Sequence, residues 1–185
     1  MNPRLRLLFG ALETERHRLL EEVAQLSPEQ FHRTEQGKWS ISQILAHLVA
    51  AESLSLRYMK KKILGINDAG NTGITDELQI GLLKISQRLP FKFKAPKAVI
   101  ENTPAYPEVN KLKAAWDSER AELKGLLETF NDTQLKKKIY RHVVAGRLNI
   151  QHALIFFRAH YFHHLPQIKR LLQFPKTFHI DEMNL

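Results

Sequence analysis

The sequence predicts an all-α protein, a four-helix bundle with a long insertion between its second and third helices. Two observations carry this. Four long segments repeat apolar residues at helical spacing, with charged residues between them. No segment reads as a convincing β-hairpin, which leaves helix-on-helix packing as the way to bury those faces.

The first helix is expected over residues 3–26. Leu5, Leu8, Phe9, Leu12, Leu19, Leu20 and Val23 form its apolar stripe. Ser27-Pro28 breaks it and suits the first turn of a short helix. The second helix begins at Ser40, where Ser40 and Gln43 make a capping-box pattern. Ile41, Ile44, Leu45, Leu48, Met59 and Ile63 follow on one face, and Gly65 stops it.

Residues 65–107 differ in kind, with Gly70, Gly73, Pro90, Pro96, Pro104 and Pro107. A short helix over 75–89, capped by Thr75, is expected here, and residues 90–107 read as extended loop. So long a connection in a small domain is often functional. The third long helix is expected over 108–130, with Leu112, Trp116, Leu123, Leu126 and Leu127 inward. A linking stretch, TQLKKKIYRHVVAGR, leads to the fourth, over 147–174. The whole reads as one domain, residues 1–175, with a tail at 176–185.

Composition narrows the chemistry. A chain of 185 residues buries a substantial single core. It has no cysteine, so disulfides, thiolate catalysis by the protein and cysteine-ligated zinc are excluded. No stretch approaches the roughly 20 apolar residues of a membrane span, and the charged start has no signal-like run. A soluble, cytoplasmic protein without membrane contact is expected. The net charge is +9, but the basic residues fall in short scattered groups, two of them near helix ends where cations are favoured. With no recognised nucleic-acid motif, nucleic acid is not an expected partner.

The nine histidines separate by context. His17, His32 and His179 lie in polar or terminal stretches and read as surface. His142 and His152 flank the entry to the fourth helix and are possible pocket residues. His160 and His164 are four apart, one above the other on a helix face, the spacing that lets two imidazoles reach one metal ion. At about 100° per residue, His164 lies roughly 40° from the centre of the buried stripe, His160 roughly 80°, and His163 roughly 140°, pointing out. His47, at the border of the second helix's stripe, offers a third imidazole. Glu52 lies within roughly 20° of that stripe's centre. A charge there is costly unless paired or near a metal, so it is a pocket residue or half of a buried ion pair.

Two stretches carry a resemblance. KWSISQILAHLVAAE, from Lys38 to Glu52, is similar to the W-s-x-x-x-x-L-x-H-L-x-x-x-E pattern of the DinB-like superfamily, and GRLNIQHALIFFRAHYFHHLPQI, from Gly146 to Ile168, is similar to its G-x-l-t…H-x-x-x-H-x-x-Q-I. The order and spacing of the helices between them agree. The broad group resembled includes thiol-dependent transferases such as the bacillithiol transferases. The resemblance implies an up-down-down-up bundle and a divalent metal held by His47, His160 and His164. Pro166 departs from a usual helix interior and is expected to kink the fourth helix just past the ligands.

Three imidazoles leave a divalent ion an open position, the catalytic pattern, and zinc or nickel suits such ligands. An open site lowers the pKa of a bound water or thiol. Without cysteine in the chain, a thiol comes from outside. The expected activity is metal-dependent transfer of a low-molecular-weight thiol to a small substrate, or hydrolysis, with Glu52 as base or as support to a ligand. The residues around the open site are expected to come from the 90–107 loop. The alternative is a non-catalytic, stress-associated binding protein with a vestigial metal site. It would form a homodimer through Ile155, Phe156 and Phe162 on the fourth helix's outer face.

Overall fold

Side-chain caps set where most of the helices begin. The computed structural model describes residues 1–35, 37–88 and 97–173. In α1 (Pro3–Val23) the Asn2 side chain accepts from the Arg4 N–H, with Pro3 in the first turn. In α2 (Pro28–His32) and α3 (Ile41–Ile63) full capping boxes form, Ser27 with Gln30 and Ser40 with Gln43. Helix α4 spans Ile74–Arg88 and α5 Lys97–Glu101, followed by α6 (Val109–Glu128) and α7 (Ile150–Leu172). The α4 start is one residue earlier than expected, and the Asp76 carboxylate accepts the Gly73 N–H at 2.8 Å in place of a Thr75 cap. Helix α5 forms inside the stretch read as extended loop. The rest of that stretch up to residue 96, and the tail at 176–185, lie outside the described residues.

The four long helices α1, α3, α6 and α7 make the bundle, and their side-chain ladders fix its directions. Along α1 and α7, Glu15 meets Arg158 and Glu22 meets Lys169, so these helices run parallel. Along α3 and α6, Ser42 meets the Tyr106 carbonyl just before α6, Ser53 meets Glu119, and Lys60 meets Glu122, again parallel. Between α1 and α6, Arg16 meets Asp117 while Glu13 meets Arg120, so this pair is antiparallel. The order is therefore up-down-down-up. Helix α3 lies between α6 and α7. Two apolar clusters fill the interior, one around Leu5, Met59, Leu127 and Leu154 and one around Leu19, Ile44, Leu112 and Tyr161.

The linking stretch corrects the expectation of no hairpin. Strands β1 (Tyr140–His142) and β2 (Gly146–Leu148) pair antiparallel, Tyr140 with Leu148 and His142 with Gly146. Gly146 has φ 71°, a left-handed conformation that glycine adopts without a Cβ penalty. Val143 and Val144 stand exposed at the tip. Residues 146–148 are thus strand, and α7 begins at Ile150, where the Asn149 side chain accepts the His152 N–H at 2.9 Å. Helix α7 continues through Pro166 to Leu172.

The apolar outer face expected on the fourth helix is largely covered. Helix α4 packs on α7, and its Ile80 and Leu83 share a cluster with buried Phe156 and half-buried Ile155. Phe162 is exposed, with the Arg158 guanidinium 5.1 Å from its ring centre. Exposure moves to α4 itself, where Ile74, Leu78, Leu82 and Ile85 face outward.

One buried charge pair joins α3 to α6. The Glu52 carboxylate accepts from Arg120 Nη2 at 2.7 Å and from Trp116 Nε1 at 2.9 Å. Both Glu52 and Arg120 are buried. Arg120 also lies 3.5 Å from Glu13, and the Arg16 and Arg120 guanidinium groups both sit against the Trp116 ring, which extends the tie to α1. Removing Arg120 leaves the Glu52 carboxylate buried without a counter-charge bonded to it, with the Trp116 N–H as its remaining donor. Arg120→Ala is expected to cost about 3–5 kcal/mol in urea unfolding, and a loss below about 1 kcal/mol would show that Glu52 does not depend on this pair.

Candidate metal centre

The antiparallel contact of α3 with α7 sets the site. His47 lies in the second turn of α3, and His160 and His164 lie one turn apart on α7. His160 Nε2 is 3.2 Å from His47 Nε2 and 3.2 Å from His164 Nε2. The three ligand atoms lie within 4.8 Å of one another. His47 and His164 are buried and His160 is half-buried, an order on α7 that follows from helix phase. His163 is outside the converging group, although its ring centre is 5.0 Å from that of His164.

These nitrogens fit a cation better than they fit each other. His160 Nε2 faces two ring nitrogens, and a single proton on it satisfies only one of them. Nitrogens held about 2.0–2.1 Å from a tetrahedral ion stand roughly 3.3 Å apart, close to the spacing seen. The rings also hold the form that ligates. Burial pushes His47 down to about 4 and His164 to about 3, each helped by neighbouring histidines. Burial, then the other histidines, holds His160 well below the ordinary histidine value. All three are neutral at pH 7, with lone pairs available.

Support around the rings is uneven. His164 Nδ1–H donates to Gln167 Oε1 at 3.2 Å, which leaves its Nε2 as the lone-pair atom. Gln167 carries no role in the sequence reading, although its position three residues past His164 places it within reach on the same helix. The Trp39 ring lies 5.1 Å from that of His47, and Phe156 stacks on His160 at 5.3 Å. His47 Nδ1 is buried without a partner among the described residues. A cleft of about 410 Å³ is lined by His47 and Trp39 and also by Ile100, Thr103 and Pro104. Part of the expected 90–107 segment thus lines it, and residues 90–96 lie outside the described residues.

Other predicted residues sort as follows. Glu52 is not in the converging group, and its carboxylate is engaged by Trp116 and Arg120. His152 meets Glu77 at 3.0 Å and so ties α7 to α4. His32 meets the Pro107 carbonyl at 2.9 Å. His142 is buried at the end of β1, its ring packed on Phe156 at 4.4 Å.

A four-helix bundle of up-down-down-up order, with three histidines converging between its second and fourth long helices, is the class that fold and site define. The chain belongs to the DinB superfamily, whose family model matches residues 11–168. Among solved structures it is similar to YfiT from Bacillus subtilis, described as a probable metal-dependent hydrolase with an unusual four-helix bundle topology. The two are 18% identical, the match covers 89% of this chain and 83% of that one, and the TM-score is 0.54, a likeness of fold. No curated protein matches the chain.

The lowered ring pKa values carry a stability consequence. An unfolded histidine titrates near 6.5, whereas folded His47 does so at about 4. The unfolded chain therefore takes up more protons as pH falls. The stability is full above about pH 6.5 and is lost as pH drops through the interval down to 4. Metal-free protein is expected to lose about 2 kcal/mol from His47 alone between pH 7 and pH 5, read as a fall in Tm. An unchanged Tm over that range would contradict neutral, desolvated rings.

Proposed function

We propose that the protein is a divalent-metal-dependent enzyme acting at His47, His160 and His164, which transfers a low-molecular-weight thiol to a small substrate or hydrolyses such a substrate. The convergence of three Nε2 atoms with 3.2 Å spacings carries this reading. In it the three rings hold zinc or nickel. An ion with three protein ligands supplies Lewis acidity at its remaining position.

The chain's own contributions are positional. Gln167 fixes the His164 tautomer and orientation. Trp39 and Phe156 cover the His47 and His160 rings and limit water around them. The cleft beside His47 receives the substrate. A thiol substrate comes from solution, since the chain has no cysteine. Glu52, read from the sequence as base or as support to a ligand, serves in this account to hold α6 to α3, because its carboxylate is bonded to Trp116 and Arg120.

Metal content and turnover test this together. Purified protein supplied with zinc or nickel is expected to hold about one equivalent. His160→Ala is expected to weaken binding at least 100-fold while leaving the far-UV circular dichroism unchanged. Loaded protein should conjugate glutathione, cysteine or bacillithiol to a chromogenic aryl chloride, or cleave a chromogenic ester. Absence of metal uptake would end the reading, and uptake without either reaction would end its catalytic half.

A further inference from the structure

Helix α4 is apolar on two opposite sides. Its inner side, with Ile80 and Leu83 buried, packs on α7. Its outer side carries Ile74, Leu78, Leu82 and Ile85, each between 59% and 81% exposed. At about 100° per residue the two sets centre roughly 180° apart. A surface helix ordinarily has one apolar stripe with a polar face opposite it. A helix with two opposed stripes suits a place between two layers, and among the described residues the chain supplies only one of them. Of the eleven exposed large hydrophobics among the described residues, four stand in this row, at the three- and four-residue spacings that make helix neighbours. The rest fall on other elements, such as Leu7 on α1 and Leu64 at the end of α3. Scattered apolar residues need no explanation, whereas a continuous row marks a partner surface.

The flanks of the row narrow the kind of partner. One flank holds Thr75, Gln79 and Ser86, all uncharged. The other holds Glu77 in the first turn and, by the same helix phase, Lys84 and Arg88 in the second half. Glu77 meets His152 yet keeps its side chain 62% exposed. Charge along this flank thus reverses from acidic to basic. When two copies of α4 pair antiparallel about a twofold axis, each flank meets its own counterpart. Glu77 of one copy then comes level with the basic half of the other, the uncharged flanks meet, and the helix dipoles oppose. A parallel pair would set the charged flank against the uncharged one and align the dipoles. Gly81 stands beside the middle of the row. A Cβ there would meet nothing within 4 Å, so the described chain gives no reason for a residue that weakens a helix interior. The close approach of a second helix does.

We propose that α4 is a homodimer interface, in which the row from Ile74 to Ile85 packs antiparallel on the same row of a second copy, with the twofold axis between Leu78 and Leu82. The long segment between α3 and α6 then has a second task besides bordering the cleft. The interface stands apart from the three histidines and does not depend on a metal there.

Full-length protein in size exclusion with light scattering at about 50 µM is expected to show twice the mass of one chain. Leu78→Gln combined with Leu82→Gln is expected to show the mass of one chain with unchanged far-UV circular dichroism, since both side chains are exposed in the protomer. Leu64→Gln, at an exposed leucine off this helix, should stay dimeric. The chain has no cysteine, so single introduced ones report which positions meet. Under mild oxidation Leu82→Cys should cross-link at least tenfold faster than Ile74→Cys, whose two copies lie on the order of 18 Å apart along the helices. This arm stands even if the doubly substituted chain does not fold. A monomeric wild type would overturn the proposal and leave the row to another segment of the chain or to a different protein. A dimer that survives the double substitution would place the interface on another face. Equal cross-linking at the two positions would mean a parallel pair and would overturn the antiparallel one.

Discussion

The site exists because α3 and α7 lie side by side and run in opposite directions. Only then does a residue in the second turn of α3 come level with residues in the middle of α7. In a simple up-down-up-down bundle the second and fourth helices would be parallel and diagonal to each other. Here they are neighbours because α3 and α6 run parallel, as their ladder from Ser42 to Lys60 shows. A parallel pair needs a connection that travels back along the bundle. Helix α3 has 23 residues, so that return covers roughly 35 Å. The long segment between α3 and α6 makes this journey. Its helix α4 packs on α7, and its α5 region lines the cleft next to His47.

Two buried polar centres share α3 without merging. His47 and Glu52 are five residues apart, roughly 140° around the helix. His47 therefore turns to α7, and Glu52 turns to α6. The first centre is neutral and short of partners, with three ring nitrogens facing one another and His47 Nδ1 unpaired among the described residues. The second is ionic, with Arg120 and Trp116 on the Glu52 carboxylate, while Arg120 Nε and Nη1 have no hydrogen-bond partner among the described residues. The convergence of three ring nitrogens is what distinguishes the histidine centre, whereas the Glu52 carboxylate is bonded to Trp116 and Arg120 and joins α3 to α6.

How much of this could be read from the sequence follows from how local each feature is. The long helices and the Ser40 cap rest on spacing and on side chains within one turn, and both appear as expected. The set-aside of His163 and the greater burial of His164 over His160 follow from phase within one helix. His47 is different, since nothing on its own helix singles it out; it came from the resemblance of two motifs. The hairpin escaped because its strands are three residues each, too short for alternation to show. Phe156 was misplaced on the outside because its cover, Ile80 and Leu83, comes from a distant segment. The partners of Glu52 also lie on another long helix.

The central claim is that one metal ion sits among the three Nε2 atoms. Anomalous diffraction from crystals grown with zinc tests it most directly. The account predicts a single strong peak about 2.0–2.1 Å from the Nε2 atoms of His47, His160 and His164 together. A map with no peak there, or with zinc bound only elsewhere on the chain, would contradict it.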